Sequence, residues 1–253
     1  MRTVFTLVVV ALATFTLGPV VVLAGFFGSG EKRNRVQQWC MHRWARVACW
    51  AAGVRIVVHD DAGIEQREGM VYIANHVSWF DVFALAATLP RYSFVAKSEL
   101  RRIPVFGAAA AAAGIVFLER DNRKQAFESY KDAAAQVKAG RSIVVYPEGT
   151  RGYDYPLRPF KKGPFVLAIA SEAPLVPTVI HGTRDVMRKG SFRVRGGEIH
   201  LHFLKPIPTA GLSYNDRAAL MTRVWQRIAD TLTTQYGIPP TDRSIAKPNE
   251  RVV

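Results

Sequence analysis

Cysteine is scarce in this 253-residue chain, which contains only Cys40 and Cys49. Both fall within one predicted helix, nine residues apart, and this separation along the helix axis is too large for a disulfide. We therefore expect neither a disulfide framework nor a metal site based on cysteine, which fits a reducing compartment.

Acidic side chains are also few, with 20 Asp and Glu against 34 Lys and Arg, a net charge of +14 and a pI near 10.2. Such an excess indicates anionic partners: a membrane surface, a phosphate-bearing substrate or nucleic acid. The chain contains no recognisable nucleic-acid module, so we expect no nucleic-acid partner. Its length allows one α/β core with small appendages.

The N-terminal residues 4–27 carry no charge and are almost wholly apolar, long enough to cross the hydrocarbon core of a bilayer. Gly18 and Pro19 interrupt the run, so a kinked span and a re-entrant half-helix are both open. A signal peptide, with Arg2 as its basic start and a cleavage site after Ala24, is a competitor. We favour a retained anchor because a second membrane-seeking segment follows.

That second segment, residues 36–54, has apolar residues at helical spacing and contains Trp39, Trp44 and Trp50 with arginines between them. Tryptophan and arginine on an amphipathic helix suit the headgroup level of a bilayer. The alternative is an ordinary helix that docks on the domain. We predict membrane-anchoring helices over residues 1–54. Their basic residues place the protein at the inner membrane, with the active site facing the cytoplasm.

From residue 55 to residue 240 strands alternate with helices. Strands are predicted over residues 54–59, 70–74, 92–96, 114–118, 142–146, 175–180 and 199–204. Helices are predicted over residues 78–89, 103–113, 121–139 and 164–171, with a last helix from Ser213. This alternation predicts an α/β fold, a mostly parallel sheet flanked by helices. Residues 241–253 are predicted to be a loose basic tail.

In such sheets ligands bind in the crevice beyond the carboxyl ends of the strands. Polar residues directly follow several predicted strands, so we expect these residues to converge on one site: Asn75, His76, Glu119, Arg120, residues 148–151 and His181. His200 and His202 share a strand face, but no third ligand lies near them in the sequence. We expect no metal and no cofactor.

His76 and Asp81 are the predicted catalytic pair. Ser78 and Asp81 have the spacing of a capping box, which predicts a helix that begins at Ser78 with Asp81 in its first turn. His76 then lies in the preceding turn, where the Asp81 carboxylate can reach one imidazole nitrogen. A general base oriented by a carboxylate has this arrangement.

The same crevice offers Glu148 as an acid, and Lys97, Arg120, Arg123 and Arg151 as cations that suit a phosphate. No nucleophile stands out: the predicted cap role of Ser78 occupies its hydroxyl, and the chain has no Gly-x-Ser-x-Gly elbow. The chemistry that remains is activation of an alcohol on a phosphate-bearing substrate at a membrane. A hydrolase using Ser78, His76 and Asp81 is an alternative.

Four ordered blocks resemble the motifs of the bacterial 1-acylglycerol-3-phosphate acyltransferase (lysophosphatidic acid acyltransferase) family. They are His76 with Asp81, residues 114–120 (GIVFLER), residues 146–151 (YPEGTR) and residues 173–177 (APLVP). The resemblance implies transfer of an acyl group from acyl-CoA or acyl carrier protein to the hydroxyl of a lysophospholipid, with no acyl-enzyme. Lyso-ornithine lipid and glycerol 3-phosphate are acceptors in similar families.

The resemblance also implies residue roles. His76 deprotonates the acceptor hydroxyl and Asp81 orients it, whereas Pro177 shapes the acyl channel without chemistry of its own. The acceptor phosphate is bound by residues of the second and third blocks and a basic position upstream: Lys97, Arg120, Glu148, Gly149, Thr150 and Arg151. For the oxyanion of the tetrahedral intermediate, we expect donors among turn amides or at the helix that begins near Ser78.

Overall fold

The computed structural model describes residues 1–63, 68–119 and 122–240, without the side chain of Arg123. Its helices are α1 (Arg2–Phe27), α2 (Gly30–Ala52), α3 (Phe80–Thr88), α4 (Phe106–Ala112), α5 (Arg123–Lys138), α6 (Gly163–Ser171), α7 (Thr183–Val186) and α8 (Arg217–Tyr236). Its strands are β1 (Val54–Asp60), β2 (Val71–Ala74), β3 (Tyr92–Lys97), β4 (Val116–Leu118), β5 (Ser142–Val145), β6 (Leu175–His181) and β7 (Gly197–Phe203). Short 3-10 turns cover Ser98–Arg102 and Tyr214–Asp216.

The strands form one seven-stranded sheet in the order β1-β7-β6-β2-β5-β3-β4. All neighbouring pairs are parallel except β6 and β7, which are antiparallel. This architecture confirms the predicted mostly parallel sheet. All four residues of β2 are buried, because helices cover both faces of the sheet.

Alternate residues of the central strand β2 enter two separate cores. Tyr72 and Ala74 of β2 point towards α2 and α3, whereas Val71 and Ile73 join the core under α5, α6 and α8. Helix α2 contributes buried alanines to the first core, so one of its faces docks on the domain. Trp39 and Trp50 lie on the exposed face of α2. Cys40 and Cys49 are buried on α2 and unpaired, as predicted.

Helix α1 lies outside α2 and α4 and contacts the domain near both of its ends. Thr6 Oγ1 donates a hydrogen bond to the carbonyl of Ala51 near the start of α1, and Gly25 lies close to Ala112 near its end. Gly18 and Pro19 lie inside α1 and do not end it. Its outer face exposes many large apolar side chains, among them Phe5, Val8, Leu12, Phe15, Val20, Leu23 and Phe26. Within the described ranges, α1 is the one helix long and apolar enough to cross a membrane.

Several element boundaries differ from the predictions. The helix predicted over residues 103–113 begins only at Phe106, because Ile103, which precedes Pro104, is extended and Val105 has a φ of +62°. The strand predicted over residues 114–118 is shorter, since Gly114 has a left-handed φ of +84°. Helix α3 begins at Phe80, not at Ser78. The predicted tail, residues 241–253, lies outside the described residues.

Candidate active site

His76 lies in the turn between β2 and α3, and the structure brings it to Asp81. His76 Nδ1 is 2.7 Å from Asp81 Oδ2. The Asp81 side chain is fully buried, and the His76 side chain is 14% exposed. Because the carboxylate can only accept, Nδ1 carries the proton and Nε2 keeps its lone pair. Within the described parts of the chain Nε2 makes no hydrogen bond, so it is free to accept a proton from a substrate.

Asp81 also holds the turn that carries His76. Its Oδ2 accepts hydrogen bonds from the backbone N–H groups of Val77 at 2.7 Å and Ser78 at 2.8 Å. Three N–H donors therefore meet at one carboxylate oxygen in the first turn of α3. This convergence fixes the imidazole relative to the helix, which a histidine in an unsupported turn would not achieve.

Ser78 forms a different set of bonds from the predicted capping box. Its Oγ accepts from the N–H of Phe80 and donates to the carbonyl of Met187 at 2.7 Å. One bond of the predicted box is present, from the N–H of Ser78 to the Asp81 carboxylate. The other is not, because Ser78 Oγ accepts from the N–H of Phe80 and not from that of Asp81. Ser78 is fully buried, and the partners of its hydroxyl among the described residues do not include His76. Its hydroxyl ties the turn to the segment after α7, and the arrangement gives no support to a serine nucleophile.

The turn amides do not supply the expected oxyanion donors. The N–H of His76 donates to Glu148 Oε1 at 2.9 Å, and those of Val77 and Ser78 donate to Asp81. Each of these three amides is already bound to a carboxylate oxygen. The expectation is therefore wrong for these amides, because they serve to position His76 and Asp81.

Tyr146 is a site residue that the sequence analysis missed. Its ring stacks on the imidazole of His76, with centroids 3.9 Å apart and planes 14° apart. The buried Tyr146 hydroxyl has no hydrogen-bond partner among the described residues. Burial, and to a smaller extent the charge of Asp81, raise its pKa. The alternation of side chains along β5 could have placed Tyr146. Val144 enters the core next to α3, so Tyr146, two residues later, faces the same side of the sheet.

Glu148 holds the turn and the following loop together. Its Oε1 accepts from the N–H of His76, and its Oε2 accepts from Arg158 Nε at 3.1 Å. Arg158, which the sequence analysis also missed, donates in addition to the carbonyl of Thr150. Burial raises the pKa of Glu148, although the hydrogen bonds from His76 and Arg158 act in the opposite direction. Both carboxylate oxygens of this predicted acceptor-binding residue are thus occupied by protein donors.

Arg151 is the cation of the site that remains available. Its guanidinium carbon is 4.9 Å from the centroid of the Trp79 ring. Within the described ranges the guanidinium has no carboxylate partner and makes no hydrogen bond. Burial lowers the pKa of Arg151, and the negative charge of Asp81 partly offsets this effect. A partly buried arginine without an acidic partner is suited to an anionic substrate group.

The loop around Arg151 is fixed at both sides. Gly149 adopts a φ of +77°, which favours glycine, and its N–H donates to the carbonyl of Tyr146. The N–H of Gly152 donates to the carbonyl of His76 at 2.7 Å. Lys189 Nζ donates to the carbonyl of Arg151 at 2.8 Å. The loop with Arg151 and the turn with His76 therefore form one connected unit.

Other predicted residues make contacts outside this unit or lie outside the described residues. Lys97, at the carboxyl end of β3, forms an ion pair with Glu99. Arg120 is outside the described residues, as is the side chain of Arg123. His181 does not join His76: it stacks on Tyr236, with centroids 3.7 Å apart. The reason is strand alternation, because Ile180 faces α3 and His181 therefore faces α8.

The histidines considered for a metal make other contacts. His202 Nε2 is 2.6 Å from the hydroxyl of Tyr236, and His200 Nδ1 is 3.2 Å from His59 Nε2. The described part of the chain contains no cluster of three or more His, Cys, Asp or Glu residues suited to a metal ion.

Residues 55–181 match the family described as Acyltransferase. The chain belongs to the acyltransferase family. It is 35% identical over 170 residues to the 1-acyl-sn-glycerol-3-phosphate acyltransferase of Cocos nucifera, covering 66% of this chain and 54% of that protein. It is 32% identical over 174 residues to the alpha form of the Homo sapiens protein of that name, covering 68% of this chain and 62% of that protein. The chain thus spans little more than half the length of these relatives.

The fold is also similar to that of a solved acyltransferase structure. The crystal structure of the 1-acyl-sn-glycerophosphate (LPA) acyltransferase PlsC from Thermotoga maritima superposes with a TM-score of 0.74 at 24% identity. The alignment covers 93% of this chain and 98% of that chain. The predicted family resemblance and the predicted fold class are both confirmed. His76, Asp81, Glu148 and Arg151 all lie within the residues that match the family.

Proposed function

We propose that the protein transfers a fatty acyl group from an acyl thioester to the free sn-2 hydroxyl of 1-acylglycerol 3-phosphate, giving phosphatidic acid. The observation that carries this proposal is the buried His76–Asp81 pair at 2.7 Å, with His76 Nε2 unoccupied and Arg151 unpaired beside it. The names of the relatives support a 1-acylglycerol-3-phosphate acceptor. The donor is acyl-CoA or acyl carrier protein.

In the proposed reaction, His76 Nε2 removes the proton of the acceptor hydroxyl as its oxygen attacks the thioester carbonyl. The new C–O ester bond forms, the C–S bond breaks, and the proton passes from His76 to the leaving thiolate. The Asp81 carboxylate stabilises the imidazolium that exists between these two proton transfers. The burial of Ser78 supports direct transfer without an acyl-enzyme.

The acceptor phosphate is proposed to bind at Arg151 and at the backbone N–H of Thr150, while Gly149, with its positive φ, shapes the turn that presents them. Glu148 contributes by holding His76 and Arg158 in place, which makes it a positioning residue. Lys97 and Arg120 belong to the proposed phosphate site as well, since they follow the neighbouring strands β3 and β4. No cofactor takes part in this scheme.

Membrane attachment is proposed to use the exposed apolar face of α1 together with Trp39 and Trp50 of α2. Arg43 of α2 lies against the middle of α1, beside Leu12 and Thr16, so a spanning α1 would carry this charge into the hydrocarbon, which is costly. We therefore place α1 within one leaflet. The basic side of the protein then faces the cytoplasm at the inner membrane.

The test is thiol release from a panel of acyl-CoA donors by detergent-purified protein, with and without lysophosphatidic acid. We expect release that requires both the acceptor and His76, and that His76→Ala abolishes. His59→Ala removes an exposed histidine of β1 and serves as the matched control. Unchanged turnover by a folded His76→Ala variant would contradict the mechanism.

The acceptor panel also separates the alternatives. Release that requires lyso-ornithine lipid, and not lysophosphatidic acid, would reassign the acceptor and leave the role of His76 intact. Release without any acceptor would indicate a hydrolase. In a hydrolase, a serine-directed covalent probe should label Ser78. Under the present proposal it should not, because the Ser78 hydroxyl is buried.

A further inference from the structure

The segment between α7 and β7, residues 187–196, is strongly basic and is called the basic loop below. It contains Arg188, Lys189, Arg193 and Arg195 and no acidic residue. Its one aromatic side chain, Phe192, is 75% exposed. The three arginine side chains are exposed and make no hydrogen bond or ion pair within the described parts of the chain.

The basic loop is held in place by its own buried residues. Met187 and Val194 join the core beneath α2 and α3. The N–H of Arg195 donates to the carbonyl of Val186 at 2.9 Å. Phe192 lies between these anchored positions, so it projects from a fixed base. The exposure of Phe192 is therefore set by the fold.

The basic loop adjoins the start of α1 directly. Thr3 Oγ1 accepts from the N–H of Val194 at 3.0 Å and donates to its carbonyl at 3.3 Å. The next residues of α1, Val4 and Phe5, are exposed, and the Phe5 ring contacts Trp50. An apolar surface thus borders the arginines of the loop. Apolar, aromatic and basic side chains follow one another across this surface, in the order typical of protein groups at a bilayer interface.

The basic loop also adjoins the active site. The carbonyl of Met187 accepts from Ser78 Oγ, and Lys189 Nζ donates to the carbonyl of Arg151. Two hydrogen bonds therefore join the loop to the turn of His76 and to the predicted phosphate-binding arginine. A ligand of the loop would therefore lie close to the turn of His76 and to Arg151.

We propose that the basic loop binds the anionic surface of a lipid bilayer, with Phe192 inserted at headgroup level and Arg188, Arg193 and Arg195 at lipid phosphates. It is a second membrane contact besides α1. This inference rests on the proposed membrane attachment and deepens it: through its bonds to Ser78 and Arg151, the loop holds the turn of His76 and the loop of Arg151 near the lipid surface. A basic side chain near an anionic bilayer contributes about 1 kcal/mol, or about fivefold in affinity.

The test uses the full chain, reconstituted into phosphatidylcholine vesicles with and without phosphatidylglycerol. An environment-sensitive fluorophore is attached to Phe192→Cys, to Leu12→Cys on the exposed face of α1, or to Thr222→Cys on α8. The native cysteines are 1% and 4% exposed, and unsubstituted protein gives their background. Quenching by spin-labelled lipid reports contact with the bilayer. We expect quenching at positions 192 and 12 but not at 222, and stronger quenching at 192 when phosphatidylglycerol is present.

The role of charge is tested in the Phe192→Cys background. We expect the triple change Arg188→Gln, Arg193→Gln and Arg195→Gln to lower the equilibrium constant for contact between the loop and the phosphatidylglycerol-containing bilayer on the order of a hundredfold. The readout is loss of quenching at position 192, and 0.5 M salt should have the same effect. A control with the same charge change on α5 and α8 should retain the quenching: Lys124→Gln, Lys138→Gln and Arg223→Gln.

Each contrary outcome identifies what has failed. Quenching at position 12 alone overturns the loop proposal and leaves attachment through α1. Quenching at neither position overturns both membrane contacts, without bearing on thiol release in detergent. A label at position 192 that is unquenched by lipid but responds to acyl carrier protein also overturns the proposal, and assigns the loop to the donor.

Discussion

Replacing Asp81 with asparagine tests how the carboxylate acts on His76. Asparagine keeps the size of the side chain, and its oxygen can still accept from the backbone N–H groups of Val77 and Ser78. What it loses is the negative charge next to the imidazole ring. Because all three donors meet at Oδ2, an amide nitrogen in that position would drive the ring into the wrong tautomer, with the proton on Nε2, and would also leave the N–H groups of Val77 and Ser78 without an acceptor.

The magnitude follows from the geometry of the pair. With Nδ1 and Oδ2 at 2.7 Å, the centres of the imidazolium and the carboxylate lie roughly 4 Å apart, which corresponds to about 4 kcal/mol at an effective dielectric constant of about 20. Because this energy is gained only when the imidazolium forms, its loss should lower kcat about a thousandfold. The KM values should change little, since Asp81 is fully buried and acts through His76.

The assay is thiol release under saturating donor and acceptor, together with thermal unfolding of the same samples. Asp81→Ala is the informative comparison: it leaves the buried N–H groups without an acceptor, at about 1–3 kcal/mol each, and should lower the unfolding temperature more than Asp81→Asn. A folded Asp81→Asn enzyme that retains a tenth or more of the wild-type kcat would refute the role assigned to the charge.

Three further changes test other parts of the structure. Arg151→Gln should raise the KM for lysophosphatidic acid about 10- to 100-fold, because a charged hydrogen bond to phosphate contributes about 1.5–3 kcal/mol; Arg223→Gln is the control, and an equal effect of both would contradict the assignment. Tyr146→Phe removes a buried hydroxyl that has no partner among the described residues, and should raise the free energy of unfolding in urea by about 1 kcal/mol; a clear loss of stability would show that the hydroxyl is satisfied. Burial, followed by the charges of neighbouring histidines, lowers the pKa of His202 to about 4. The folded state then binds fewer protons than the unfolded state below about pH 6.5. Stability should therefore fall as the pH drops from about 6.5 towards 4, and His202→Gln should fall less; parallel pH curves for the two proteins would contradict this prediction.

Local patterns in the sequence were sufficient for the alternation of strands and helices and for the pairing of His76 with Asp81. The five-residue spacing requires a turn before the helix, and the buried strand before it determines where the turn begins. Orientation within the sheet was not accessible in this way. The antiparallel pairing of β6 with β7 depends on contacts distant in the chain.

The same limit explains the residues that were missed or misplaced. Arg158 reaches Glu148, which lies ten positions earlier in the same irregular loop, and no periodicity predicts such a contact. His181 was grouped with His76 because it follows a strand, although the side of the sheet depends on the register of β6. Tyr146 could have been placed by alternation, but its stacking on His76 depends on the position of the turn.

The peptide groups on both sides of the His76 Cα are held by one loop: Glu148 accepts from its N–H, and Gly152 donates to its carbonyl. The proton acceptor and Arg151 therefore cannot separate without breaking these bonds. Under the proposed activity, this rigid spacing selects among acceptors. An acceptor reacts only if the distance between its free hydroxyl and its phosphate matches the distance between the imidazole and the guanidinium. An acceptor with one more carbon between the two groups would bind through its phosphate and hold its hydroxyl out of reach of His76.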